Sequence, residues 1–157
     1  MYNLQKDLLD ALQAAPETLI GLLEGIGTDQ AHSARGGDEN WSVVEVACHL
    51  RDAEEFFLKR FQAMRDQDNP VITGYDQEAL AKLRNYQDAD IQTALASFNA
   101  FRRQVISELS KLTPEQWQRT GQHSELGQIT IFAQTIHHVT HDAIHCAQIA
   151  RQLNDSR

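Results

Sequence analysis

Long apolar runs are missing from this chain. No stretch approaches the about 20 apolar residues of a transmembrane helix. The opening MYNLQKDLLDALQAAPETL scatters acids among its leucines, so it reads as neither a signal peptide nor a membrane anchor. Proline and glycine are scarce, three and eight in 157 residues, so little of the chain is built for turns. The two cysteines, Cys48 and Cys146, make no disulfide framework and are expected to be buried thiols in a reducing cytoplasm. Basic residues are outnumbered, 14 against 22 acidic ones, for a formal net charge of -8. That balance argues against nucleic acid or an anionic membrane surface as partner. Strand signals are nearly absent; ITIF at 129–132 is the one candidate.

What is present is helical periodicity. Apolar residues recur at helical spacing in four long stretches, with no internal repeat or dividing linker, so one domain over residues 1–157 is expected. The first stretch covers roughly residues 3–25, and Pro16 is expected to kink it or to start its second half. GTDQAHSARGGDEN then reads as a polar loop. The second helix starts near Ser42, where Ser42 and Glu45 fit the S-x-x-E capping box. A short helix over 77–86 follows Asp76. The third follows Asp88 or Asp90, with Leu95, Phe98 and Leu109 in its core face, and the fourth runs from about Ile129 to Leu153. Four helices of similar length make an all-α four-helix bundle the simplest fold.

Seven histidines remain to be explained. On the second helix His49 falls within the apolar arc of Val46, Leu50, Ala53, Phe56, Phe57 and Phe61, so it points at the core. Alone, it would read as a core histidine with one hydrogen bond. On the fourth helix Gln134, His137, His141, His145 and Gln148 form one polar stripe, beside an apolar arc of Phe132, Ile136, Ala143, Ile144 and Ala147. A solvent-facing stripe is usually filled with Glu, Lys and Arg. Here Asp142 is the only formally charged residue between Ile129 and Ala150, which marks the helix as mostly buried. Buried imidazoles need partners, and one divalent ion serves several together. His141 and His145, four apart, reach the same ion from one helix face, and His49 supplies a third nitrogen from another. Three neutral imidazoles suit Zn²⁺, Ni²⁺ or Fe²⁺ and leave a coordination position open.

These segments carry a family resemblance. WSVVEVACHLRDAEEF at 41–56, HHVTHDAIHCAQI at 137–149 and the connecting LTPEQWQRTGQHSELGQITI at 112–131 resemble the signatures of the DinB-like superfamily. The resemblance implies a four-helix bundle of up-down-down-up topology, with a metal held by His49, His141 and His145 and with Gln148 behind them. It also implies frequent homodimers. Among related proteins it implies metal-dependent transferases and isomerases that use a low-molecular-weight thiol, alongside hydrolases.

The remaining polar residues divide between chemistry and structure. His137, one turn before His141, reads as a hydrogen-bonding neighbour of the ligands or as a fourth ligand. His138 points elsewhere on the helix and reads as ordinary; His32 and His123 fall in polar loops and are expected at the surface. Glu45 is a general-base candidate, although the capping box accounts for it without chemistry. Asp52 either orients a ligand or pairs with an arginine at the surface. Arg60, on the arc of His49, either meets a substrate carboxylate or snorkels. Trp41 is expected to pack at the helix start.

Two classes of function follow. The first is an enzyme in which a metal ion activates a thiol for S-transfer to a small electrophile, or water for hydrolysis. The second is a metal-binding protein without turnover. No Ser-His-Asp or reactive-Cys arrangement competes. A small-molecule substrate is expected.

Overall fold

Four side chains start the four long helices: Asn3, Ser42, Asp90 and Thr130 each accept a hydrogen bond from the backbone N–H three residues on. The computed structural model describes residues 3–156. In chain order its helices are α1 (Leu4–Leu23), α2 (Thr28–Ser33), α3 (Val43–Asp66), α4 (Gln77–Leu83), α5 (Ile91–Leu109), α6 (Pro114–Trp117) and α7 (Ile131–Asp155). Five short strands join them: β1 (Arg35–Gly36), β2 (Trp41–Ser42), β3 (Val71–Ile72), β4 (Thr120–His123) and β5 (Gly127–Thr130). No described helix is long and apolar enough to cross a membrane.

The core shows how the long helices run. One apolar cluster joins Leu19, Val46, Leu50, Ile91, Phe98, Ile149 and Leu153. It brings the last turns of α1 and α7 against the first half of α3 and α5. The other joins Leu12, Phe57, Phe61, Met64, Val105, Leu109 and Ile131, the opposite ends of the same helices. So α3 and α5 run parallel, and α1 and α7 run together against them, giving an up-down-down-up four-helix bundle. Segment 67–90 makes the long return that parallel neighbours require. Leu109 is fully buried. Leu109→Ala is expected to cost about 2–5 kcal/mol in denaturant titration; a loss under about 0.5 kcal/mol would mean that α5 is not packed this way.

Several expectations change. Helix α1 passes through Pro16 without restarting. Proline lacks an N–H, so the Leu12 carbonyl one turn back has no helical donor. Arg102 Nη1 supplies one, at 2.7 Å. The stretch read as a polar loop contains α2 and β1, which pairs with β2 just beyond it. Strands also lie where no alternating pattern announced them. Parallel β3–β4 and antiparallel β4–β5 make a small sheet, and β5 takes Ile129 and Thr130, the first half of the ITIF strand candidate, from the expected start of the last helix. Asp90, rather than Asp88, caps α5.

Helix α7, expected to be mostly buried, exposes part of its apolar arc. Ile136 and Ile144 are 40% and 61% exposed, while Gln134, Thr135, His138, Asp142, Gln148 and Gln152 are buried. The inward polar groups find partners that compensate for their burial. Gln152 Nε2, for example, donates to the carbonyls of Trp41 (2.8 Å) and Gly36 (3.2 Å).

Candidate metal centre and its cleft

Three imidazoles meet between α3 and α7. His49 and His141 approach Nε2 to Nε2 at 2.9 Å. His145 stands 4.6 Å from His49 and 4.5 Å from His141, ring centre to ring centre. One nitrogen from each of the three lies within 4.8 Å of the others, close enough to share an ion. His49 is buried in the α3 apolar face, and the Trp41 ring packs 5.2 Å from it.

Burial, with the His145 imidazole beside it, pushes His49 down to about 3. Burial and the flanking His145 and His49 push His141 well below the ordinary histidine value, and burial lowers His145 also. All three are therefore neutral near pH 7, and neutral imidazole is the form that ligates metal. Gln148 Oε1 accepts the Nδ1–H of His145 at 2.8 Å, which leaves its Nε2 lone pair free. Gly37 makes room for that glutamine. It sits at φ +80°, and a Cβ there would fall 2.6 Å from Gln148 Nε2. Nδ1 of His49 and of His141 has no hydrogen-bond partner. The donor set fits a divalent ion: three neutral nitrogens converge, with a cleft beside two of them.

That cleft, of about 420 Å³, is lined by His49, His141, His137, the Phe57 ring and, further out, Arg60 and Glu125. His137 stands on the wall, its ring 6.3 Å from that of His141, and is not within ligand distance of the triad. Tyr75, which the sequence left unassigned, stacks on Phe56 at 4.0 Å along the same wall.

Glu45 closes the capping box with the Ser42 amide (2.8 Å) and also takes Arg35 Nη1 (2.9 Å), both on Oε2, so this oxygen holds the α3 start. Asp52 is buried rather than at the surface. It accepts from Arg51, Arg84 and the Tyr86 hydroxyl, docking the segment after α4 onto α3. His123, expected at the surface, is 5% exposed in β4, and its Nδ1 accepts the amides of Glu125 and Leu126. Cys48 is fully buried and Cys146 half-buried, both free, with thiol pKa values raised by burial.

The sequence reading missed a second polar cluster. His138, far from ordinary, is fully buried on Glu54, and Arg102 reaches Glu54 (2.5 and 2.8 Å) and Asp142 (2.9 Å). Glu54, His138 and Asp142 are close enough to share an ion. A guanidinium already bonded to both carboxylates occupies that role, so the cluster reads as a buried ion network. Burial alone would raise Glu54; His138 and Arg102 outweigh it and hold it near 2. One signal was available in the sequence: Asp142 is the one formal charge between Ile129 and Ala150, in a helix read as mostly buried, and needs a buried cation.

Comparison with known proteins identifies the family and the fold. The model of the DinB superfamily matches residues 11–149. A protein of Oceanobacillus iheyensis named "putative metal-dependent hydrolase" is 28% identical over 142 residues, 90% of this chain and 81% of its own. YfiT from Bacillus subtilis has a solved structure described as a "probable metal-dependent hydrolase with an unusual four-helix bundle topology". It superposes with a TM-score of 0.82 at 23% identity, over 96% of this chain and 87% of YfiT. A further solved four-helix bundle protein superposes at 0.66 with 20% identity, over 92% and 96%.

Proposed function

The chain belongs to the DinB superfamily, and on that footing we propose that it is a divalent-metal-dependent enzyme whose ion is held by His49, His141 and His145. The observation that carries this reading is the convergence of three neutral imidazoles, His49 buried and His141 and His145 half-buried, beside a cleft of small-molecule size. Bound there, Zn²⁺, Ni²⁺ or Fe²⁺ supplies a Lewis acid that lowers the pKa of a coordinated water or thiol towards neutrality. His145 is oriented by Gln148, and His49 is wedged by Trp41, so the nitrogens keep their positions as the ion comes and goes. The cleft admits a substrate; a purely structural site would be closed.

We read the reaction as S-transfer from a low-molecular-weight thiol to a small electrophile. The support is the fate of the carboxylates. Glu45, Asp52 and Glu54 are bonded elsewhere, Glu39, which acts on His145 through space, is held by Gln77 Nε2 at 2.7 Å, and among the described cleft residues Glu125 is the one carboxylate, acting on Arg60. A water nucleophile benefits from a base at hand, whereas a thiol can ionise to solvent. In the transfer the thiol loses its proton to solvent and a C–S bond forms. The leaving group departs with the electron pair of the bond that breaks. Hydrolysis is the second reading, favoured by the names of the relatives.

The two separate in one assay. Metal-loaded protein is offered a chlorinated nitrobenzene with a panel of small thiols and, separately, activated esters and amides. Thiol consumption above background, lost in His49→Ala, is expected. Ester or amide cleavage without thiol consumption would replace transfer by hydrolysis.

A further inference from the structure

Five of the nine described arginines are neutralised by ion pairs. Arg35, Arg51, Arg65, Arg84 and Arg102 each lie on at least one carboxylate. Arg60 does not. It is half-buried in the wall of the cleft, its Nη2 makes one long bond of 3.3 Å to the Thr73 carbonyl, and its buried Nε has no partner. Glu125 lines the same cleft and acts on Arg60 through space, but forms no ion pair with it. A desolvated guanidinium with unsatisfied donors costs free energy unless an anion completes it.

The neighbours suit that completion. Nδ1 of His123 is taken up as an acceptor by the amides of Glu125 (3.1 Å) and Leu126 (3.3 Å), so its proton is on Nε2, and the ring lines the cleft as a donor. Between Arg60 and the imidazoles lies an aromatic wall. The Phe57 ring is 5.9 Å from the Arg60 guanidinium carbon and 6.0 Å from the His141 ring, so the two ends are at most about 12 Å apart, the two legs together. Phe56 and Tyr75, stacked nearly parallel at 9°, line the cleft as well. In a chain of net charge -8 an anion is repelled at long range, so its capture needs a local cation of this kind.

We propose that Arg60, with His123 beside it, is an anion-binding end of the cleft, and that the ligand of this site carries a carboxylate joined through a flat apolar segment to its reacting atom. The proposal rests on the reading of the cleft as the substrate site, but not on the ion. Arg60 is then a binding residue that fixes one end of the ligand while the other end reaches the imidazoles.

The test is made on protein stripped of metal with a chelator, so that no carboxylate binds through an ion. 3-Phenylpropanoate and its amide, 3-phenylpropanamide, are titrated by calorimetry. The acid is expected to bind at least about tenfold more tightly than the amide, a bidentate guanidinium–carboxylate contact being worth this much or more. Arg60→Gln should abolish the preference, Arg60→Lys should keep part of it, and His145→Ala should retain it. Equal binding of acid and amide, or a preference that survives Arg60→Gln in protein with unchanged circular dichroism, overturns the proposal. A metal-binding defect in His145→Ala is read separately by elemental analysis, so failure of the anion end and failure of the metal site are distinct results. In steady-state assays of loaded enzyme, a rise in KM confined to the thiol would place the carboxylate on the thiol. A rise confined to the electrophile would place it there.

Discussion

His49→Ala, His141→Ala and His145→Ala are each expected to lose stoichiometric metal, because the two imidazoles left hold Zn²⁺ or Ni²⁺ weakly against water. His32→Ala, a histidine of α2 outside the cluster, should bind as the unaltered protein does. An ion tying α3 to α7 also binds the folded state alone. At a free concentration a thousandfold above its Kd it adds about 4 kcal/mol of stability. Metal should therefore raise the Tm of the unaltered protein and leave the Tm of the three variants unmoved. Stoichiometric metal in His145→Ala, measured by elemental analysis, would sink the assignment.

The pH dependence has a definite sign. In the unfolded chain an imidazole takes up its proton near pH 6.5. In the folded protein, burial and neighbouring imidazoles hold His49 at about 3 and lower His141 and His145 too. As pH falls below about 6.5 the unfolded state binds the extra protons. Stability of the metal-free protein is thus full above that pH and drains towards pH 3, by up to about 1.4 kcal/mol per unit for His49 alone. In the folded protein, protons compete with metal for these nitrogens only as pH approaches the lowered folded values, about 3 for His49, and not at 6.5.

Arg102→Met is expected to destabilise the protein by about 3–5 kcal/mol, among the largest losses available to a single side chain here. Arg102, on α5, bonds Glu54 on α3, Asp142 on α7 and the Leu12 carbonyl on α1, so one guanidinium touches all four long helices. Without it the buried Asp142 and the Leu12 carbonyl lose their partner, and Glu54 keeps only His138. Adding Glu54→Gln to Arg102→Met removes one of the stranded charges, and the double variant should recover part of the loss. Urea titrations of the two variants test this. A loss below about 1 kcal/mol in Arg102→Met, or full additivity in the double variant, would mean that the network does not join the helices.

Much of the framework was legible. The Ser42–Glu45 capping box set the start of α3 within a residue, and period-3.6 spacing located all four long helices. The His49, His141 and His145 cluster was readable for a local reason: His141 and His145 share a face by spacing alone, and His49 stood out as a polar residue in an apolar arc. The short strands were not legible, since TGQH carries no alternation and its pairing is made across the chain with residues 71–72. On α7 the glutamines of the polar stripe, Gln134 and Gln148, are buried, as expected of a mostly buried helix, but the apolar arc beside it is not, and Ile136 and Ile144 were left outside.

Caps, periodicity and histidine spacing are properties of neighbours in the chain, and the sequence by itself determined them: four helices, their starts, and two of the three clustered imidazoles on one face. Everything that depends on which distant groups meet was decided by the tertiary structure. Pro16 shows the difference. From the sequence it is a helix breaker, but in the fold its missing N–H frees the Leu12 carbonyl, and Arg102, 90 residues away, bonds it and keeps α1 whole. Arg60 shows it again. Its position on α3 put it on the arc of His49, but only packing showed that no carboxylate meets it there, while its neighbours in the sequence, Lys59 and Arg65, are both paired. A charge becomes structural or functional according to what it touches once desolvated, and desolvation is a property of the fold.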